Sequence, residues 1–329
     1  MNIAIVGAGR IGKIHAGNAA AHPALSVTHV VDPIAGAAEQ LAAAVGARVA
    51  SLDQVLADAS IAGVVVASST DTHLDFSMRA IEAGKAVFCE KPIDLDLARA
   101  RAAAPVLGAA GARFLLGFNR RFDPHFFRLH KALRAGEMGD IETLHIVSHD
   151  PAPPPIDYVK ISGGLFRDMS IHDFDMARWL LGEEPVEVYA AGACHIDPAI
   201  GEAGDIDTAK TLLRTASGKL CVISNSRRSG YGYDQRIEAF CSGGLVRAGN
   251  VLTTTVESWS ESGARRDPLE TFFLDRYAGA YVAEMSHFAE VVNGAAEPLI
   301  SYRDGISALA IAEAAMHSHR AARVAAVEQ

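Results

Sequence analysis

Asn2-Ile3-Ala4-Ile5-Val6-Gly7-Ala8-Gly9-Arg10-Ile11-Gly12 is the stretch whose reading decides the fold. Ile3 to Val6 carry no charge, as a parallel strand buried on both faces requires, and they run directly into Gly7-x-Gly9-x-x-Gly12. The residues after Gly12 read as a helix. Strand, tight turn and helix in that order give each glycine its own task. Gly7 permits the sharp turn, Gly9 lets the backbone approach a pyrophosphate, and Gly12 lets the helix lie close on the strand. The helix start adds N–H groups and the positive end of a dipole, so the turn favours phosphate. A glycine-rich turn alone is weak evidence, because such turns precede many helices. A second apolar run, Val27-Thr28-His29-Val30-Val31, ends at Asp32, 20 residues beyond Gly12, the place of an acid that binds an adenosine ribose. The competing account of Asp32 is an ordinary turn residue before Pro33, which leaves its position at a strand end unexplained.

Outward from this turn, the first half alternates strands and helices. Residues 35–45 read as a helix closed by Gly46, and 61–67 as a third buried strand. That strand ends in Ser68-Ser69-Thr70-Asp71-Thr72-His73, at the carboxyl end where open α/β sheets bind ligands; a helix cap accounts for the same residues equally well. A helix over 74–83 and a strand over 85–89 lead into Glu90-Lys91-Pro92. Pro92 disfavours the α region at Lys91, so this lysine is held extended at the rim of the sheet. A helix over 94–108 and a strand over 113–117 follow, and then Phe118-Asn119-Arg120-Arg121-Phe122.

Composition sets the bounds. The chain of 329 residues suggests two domains, and its 50% apolar and 21% charged residues are those of a soluble globular protein. A net charge of −9 without long runs of lysine or arginine argues against nucleic acid as a partner. Its apolar runs fall short of the ~18 residues that cross a bilayer, and the first residues read as a core strand and not a signal peptide, so a cytoplasmic protein is expected. Cys89, Cys194, Cys221 and Cys241 form no CxxC pair and are read as reduced thiols.

The second half changes character. A helix over 124–136 precedes longer, alternating strands at 141–149, 186–196, 207–216, 219–228, 233–241 and 244–250, with hairpin turns at Ser217-Gly218 and Ser242-Gly243-Gly244. This pattern predicts an antiparallel sheet with one solvated face. Pro151 to Pro155 reads as a stiff loop, and 163–182 as one helix. Within that helix Asp168 and His172 are four apart and share a face, as a base and its orienting carboxylate do. An N-cap aspartate and a locally bonded core histidine explain the spacing as well. His172, Asp173 and Asp175 lack a second ligand cluster, so no metal is expected.

Gly7-x-Gly9-Arg10-Ile11-Gly12-x-x-His15, Glu90-Lys91-Pro92 and Asp168-x-x-x-His172 together resemble the glucose–fructose oxidoreductase/inositol dehydrogenase/rhizopine catabolism family of NAD(P)-dependent oxidoreductases. The likeness is closer to its inositol dehydrogenases, through Gly117–Asp123, Asp150–Pro155, Gly164–Asp168 and Tyr231–Asp234, and it covers nearly the whole chain. The resemblance implies a Rossmann domain over 1–119 followed by an α/β domain over 120–303 with a large open, mainly antiparallel sheet. The last helix, about Asp304 to His319, would pack back on the first domain. Lys91, Asp168 and His172 are the implied catalytic group. Gly7, Gly9, Arg10, Ile11, Gly12, Asp32, Ser68, Thr70, His73, Glu90, Lys91 and Asn119 are the implied NAD contacts. Lys91, Arg120, Asp150, Asp168, His172 and Tyr233 are the implied polyol contacts.

The implied reaction is NAD-dependent oxidation of a cyclic polyol, foremost myo-inositol to 2-keto-myo-inositol. Another inositol or a pyranose sugar is the alternative substrate, and a cofactor-binding sensor without catalysis is the competing class. Ser148-His149-Asp150 departs from the His-x-Asn pair of some inositol dehydrogenases, which leaves the isomer open. NAD is expected over NADP, because Asp32 would repel a 2′-phosphate and residues 33–37 offer no cation to neutralise one. Family members are commonly tetramers joined through the open sheet face, so a homotetramer is expected.

Overall fold

The uncharged run at the start of the chain becomes β1 (Asn2–Val6), with Ile3, Ala4 and Ile5 wholly buried at the centre of a six-stranded parallel sheet. The structure is a computed structural model and describes residues 1–328. In chain order there follow α1 (Arg10–Ala21), β2 (Ser26–Val31), α2 (Ala35–Val45), β3 (Arg48–Val49), α3 (Leu52–Ala57), β4 (Ile61–Val66), α4 (Thr70–Glu82), β5 (Ala86–Glu90), α5 (Leu97–Leu107) and β6 (Phe114–Gly117). The strands lie in the order β3-β2-β1-β4-β5-β6, the doubly wound dinucleotide-binding order. α1 buries Gly12, His15, Ala16 and Ala19, the stripe that a helix lying on a sheet shows to it. α4 begins at Thr70, not at 74, because Ser69 sits extended at its N-cap and its carbonyl accepts from the Thr72 N–H.

The chain divides into two units. Met1–Phe122 and Ala280–Leu309 form the first; Asp123–Gly279 and the residues from Ala310 on form the second. The second contains α6 (Pro124–Arg134), β7 (Ile141–His149), α7 (Ile156–Val159), α8 (Leu165–Asp168), α9 (Ser170–Leu181), β8 (Pro185–Ala193), α10 (Pro198–Glu202), β9 (Thr208–Thr215), β10 (Leu220–Ser226), β11 (Asp234–Cys241) and β12 (Gly244–Ala248). A small hairpin of β13 (Glu257–Ser260) and β14 (Gly263–Arg266) and a turn, α11 (Phe273–Arg276), follow.

Its main sheet has the order β12-β11-β7-β10-β9-β8-β15, where β15 is Ala325–Ala326. The sheet is mixed and not wholly antiparallel: β10 runs parallel to β7, while every other neighbouring pair is antiparallel. Alternation reports that one face is buried but says nothing of a neighbour's direction, so this pair was not readable from the pattern.

The helix expected over 163–182 is broken. α8 ends at Asp168, Met169 sits at φ −96° and ψ −58°, and the His172 N–H bonds back to the Met169 carbonyl at 3.3 Å. Asp168 and His172 therefore belong to successive helices and not to one continuous helical face.

α12 (Ala278–Asn293) and α13 (Tyr302–Ala321) complete the chain. Phe288 and Val292 of α12 press on Gly63 of β4, where a Cβ would meet them at 3.2 and 3.0 Å. The Tyr302 hydroxyl donates to the Ala100 carbonyl at 2.6 Å. α13 extends beyond the expected 304–319 at both ends, and its residues from Ala310 on belong to the second unit.

Candidate active site

In the first unit the glycine turn behaves as three separate constraints. Gly7 has φ +103°, and a Cβ there would lie 2.4 Å from the Ala67 carbonyl oxygen. A Cβ on Gly12 would stand 1.9 Å from the Gly7 carbonyl oxygen, so the helix can cross the turn only without a side chain. A Cβ on Gly9 would meet nothing within 4 Å. Gly9 thus answers to no neighbour in the protein, and its bareness leaves room for something outside it. Gly9 caps α1 without a side-chain bond, and the first turn, with Arg10 and Ile11, carries no acid. The N–H groups and positive dipole end suit a pyrophosphate.

Asp32 at the end of β2 closes this turn. Its Oδ2 accepts the Ala8 N–H at 2.7 Å and its Oδ1 the Ile34 N–H at 2.8 Å. A carboxylate offers about four lone-pair positions, so both oxygens retain capacity for ribose hydroxyls.

Ser68 and Thr70 follow β4, Glu90 ends β5 with Lys91 after it, and Asn119 follows β6, all at the same carboxyl edge. The Ser68 and Thr72 hydroxyls lie 2.6 Å apart. His73, an expected cofactor contact, is buried, with Nδ1 2.7 Å from the Pro92 carbonyl and Nε2 3.1 Å from the Ser68 carbonyl. Burial lowers its pKa below the ordinary value despite those carbonyls. It ties the β4 edge to the Glu90-Lys91-Pro92 turn, whose Lys91–Pro92 peptide is cis.

From the other side, buried His15 of α1 holds Glu90, with Nε2 2.6 Å from Oε1, while Glu90 Oε2 accepts the Lys91 N–H at 3.2 Å. Lys91 is thus on a turn fixed by two buried histidines. Asn119 and Arg120 follow β6, and both are buried.

In the second unit Asp168 ends α8. Its Oδ1 accepts the Tyr158 hydroxyl at 2.8 Å, and its Oδ2 accepts from Nη1 and Nη2 of Arg227 at 3.3 and 3.4 Å. Arg227, only 1% exposed, follows β10 directly, and neither it nor Tyr158 was singled out in the sequence. Half-buried His172 sits in the first turn of α9. That turn is pinned to β10 from below: the Ser170 hydroxyl donates to Asn225 Oδ1 at 2.7 Å, and Asn225 Nδ2 donates to Asp173 Oδ2 at 2.7 Å. Asp173 is wholly buried.

The parallel pairing of β7 with β10 brings their carboxyl ends together, so Asp150, whose N–H bonds to the Ser226 carbonyl at 2.9 Å, lies beside the strand end that carries Arg227. Tyr233 precedes β11, packs edge-on to Tyr277 at 5.9 Å, and stands next to Asp234, which pairs with His149 in register. The expected substrate residues therefore divide between the two units: Asp150, Asp168, His172 and Tyr233 in the second, Lys91 and Arg120 in the first. Among the described residues no group of three or more His, Cys, Asp or Glu side chains is disposed to hold a metal ion.

Comparisons with known proteins agree with this architecture. Residues 1–118 match the oxidoreductase family with an NAD-binding Rossmann fold, and residues 126–247 match the GFO/IDH/MocA C-terminal domain. The chain is 50% identical over 314 residues to an inositol 2-dehydrogenase of Rhizobium meliloti strain 1021, covering 95% of each chain. It is similar to the crystal structure of a myo-inositol dehydrogenase from Corynebacterium glutamicum, with 42% identity, a TM-score of 0.95, and coverage of 100% of this chain and 99% of that one. A scyllo-inositol dehydrogenase from Lactobacillus casei, solved with NAD(H) and scyllo-inositol, superposes with a TM-score of 0.92 at 29% identity over 99% of both chains.

Proposed function

Because the chain belongs to the GFO/IDH/MocA oxidoreductase family, we propose that it oxidises an inositol, foremost myo-inositol at one ring hydroxyl, with NAD as the hydride acceptor. The observation that carries the cofactor half is the glycine turn: an open Gly9, an uncapped and acid-free helix start, and Asp32 alongside. Bound NAD would supply the acceptor for the hydride. The protein's own part is proton transfer and charge. His172 takes the hydroxyl proton, the Asp168 carboxylate stabilises the imidazolium, and the Lys91 ammonium stabilises the oxygen as its charge develops. Arg120, Asp150 and Tyr233 supply further donors and acceptors for the remaining hydroxyls. A site with so many polar groups rejects analogues that leave them unpaired.

The myo isomer follows the more similar relatives: myo-inositol dehydrogenases lie at 42% identity and a scyllo-inositol one at 36%, while between 21% and 30% both kinds occur. The experiment is a panel of myo-inositol, scyllo-inositol, glucose and propan-2-ol with NAD and NADP, followed by nicotinamide fluorescence. Fastest NADH formation with myo-inositol is expected. Equal efficiency with propan-2-ol would refute the polyol reading, a scyllo-inositol preference would overturn the isomer alone, and absence of any NADH would favour a sensor.

We also propose that the enzyme acts as a homotetramer in the cytoplasm. The outer face of the second unit's sheet supports self-association. Tyr189, Leu212 and Val222 are neighbours in register across β8, β9 and β10, and Phe240 pairs with Leu245 across β11 and β12; these five are 38–50% exposed. They form two groups on one sheet face, with Thr143 and His145 of β7 between them, and large apolar side chains exposed in this way mark an interaction surface. No helix among the described residues is long and apolar enough to cross a membrane.

A further inference from the structure

A guanidinium does not lose its charge in a protein, so a buried arginine must be matched by anions. Arg227 has two carboxylates against it: Asp168 at 3.3 Å and Asp205 at 3.7 Å. Asp205 in turn accepts the N–H of Leu165, the first residue of α8, at 3.0 Å. Asp205 therefore holds the front of this short helix and Arg227 its last residue. The Arg227 backbone is itself fixed, its N–H bonding to the Asp207 carbonyl at 2.8 Å. Burial opposes the charge of the Asp207 carboxyl, but the N–H groups of His195, Ile196 and Asp197 outweigh it and hold the pKa down at about 2. Of the cations that precede Asp168 in sequence, Arg167 pairs with Glu313 and Lys160 with Asp157.

We propose that Arg227 is a positioning residue for the oxidation: with the Tyr158 hydroxyl it fixes the Asp168 carboxylate as an oriented anion for the imidazolium formed on His172. The inference rests on the reading of His172 and Asp168 as base and partner. Tyr158 takes Oδ1 and Arg227 takes Oδ2, so rotation of the carboxylate breaks one bond or the other. The cluster of two carboxylates and one guanidinium carries one net negative charge. A proton arriving on the imidazole is matched by that charge. Without Arg227 the two carboxylates lose the cation they share, and Asp168 turns away from Asp205 and out of line with the imidazole.

The test is steady-state kinetics of the full chain with NAD and myo-inositol for Arg227→Gln, Tyr158→Phe, Asp168→Asn and the double variant R227Q/D168N, with NAD affinity measured separately by fluorescence titration. R227Q is expected to lose kcat roughly 10- to 100-fold at unchanged NAD affinity, within the ~10²- to 10⁴-fold worth of a general base. On the D168N background the same change is expected to cost less than about twofold, because the carboxylate it orients is gone. Y158F alters a residue that is 45% exposed, so the change cannot unfold a core; it is expected to fall a few-fold in kcat and serves where R227Q does not fold. Wild-type kcat in R227Q or, failing that protein, in Y158F overturns the proposal. So does an R227Q penalty as large on the D168N background as on the native one. If D168N and His172→Ala, measured alongside, themselves run at the wild-type rate, the reading of the pair falls and takes the inference with it; if they are slow while R227Q gives either overturning result, only the inference is lost.

Discussion

Three glycines within six residues do work that can be separated by adding one methyl group. An alanine at position 12 drives its Cβ into the Gly7 carbonyl, a backbone atom that cannot move aside, and overpacking of that kind costs about 1–3 kcal/mol or more. An alanine at position 9 meets no protein atom within 4 Å, and its φ of −70° suits any residue. Gly12→Ala is therefore expected to lower Tm whether or not NAD is present, whereas Gly9→Ala keeps the Tm of the NAD-free enzyme and weakens NAD binding by ~10-fold or more. Thermal melts with and without NAD check this, and unchanged NAD affinity in the Gly9 variant would count against a phosphate at that turn. These glycines were legible in the sequence because a tight turn and a close approach permit no other residue. Arg227 was not, since its bond to Asp168 joins residues 59 positions apart and no local pattern records such a pairing.

Among the secondary-structure elements, legibility followed charge. β1, β4 and β5 are uncharged through their buried runs and were read to within a residue or two, but α12 escaped notice because its buried face contains Glu284. The break in α8–α9 escaped for another reason. Met169 is a good helix former, and the short helix before it is held at its first residue by Asp205 and at its last by Arg227, which lie far along the chain.

Glu284 has a consequence for pH. It is wholly buried, and neither carboxyl oxygen finds a hydrogen-bond partner among the described residues. Burial, and behind it the Glu90 carboxylate, raises its pKa well above the ordinary 4.5. His15, bonded to Glu90, faces the same place, with its ring 5.8 Å from that of Tyr281, one turn before Glu284 on α12. A carboxyl raised in the folded state binds a proton that the unfolded chain has released. Its contribution to stability is therefore whole below pH 4.5 and declines as pH climbs toward the raised value, by about 1.4 kcal/mol per pH unit for one proton. Glu284→Gln removes that proton difference. Urea melts between pH 5 and 8 are expected to show the variant gaining on the wild type as pH rises; parallel curves would mean that Glu284 is ionised in the native state.

At the level of the whole molecule, the Rossmann order 3-2-1-4-5-6 in the first unit and the mainly antiparallel sheet of the second match what the resemblance implied, and the parallel β7–β10 pair alone makes the second sheet mixed. What a single chain leaves unexplained is why Tyr189, Leu212, Val222, Phe240 and Leu245 all face water. Solvated strand faces ordinarily carry polar residues, and β9 does so with Lys210 and Arg214 on either side of Leu212. Covering this band with the same band of another copy removes it from water through an isologous contact, in which each residue meets the patch it belongs to. Phe240, half exposed and paired in register with Leu245, is the most exposed of the five. Phe240→Asp places a charge in such a contact on both sides at once, and two uncompensated carboxylates there cost far more than the lost ring. Light scattering coupled to size exclusion is expected to give four times the 34.7 kDa chain mass for the wild type and a smaller species for the variant, with the circular dichroism of the two unchanged. A monomeric wild type, or a variant that holds its size, would mean that this face serves something other than a second copy.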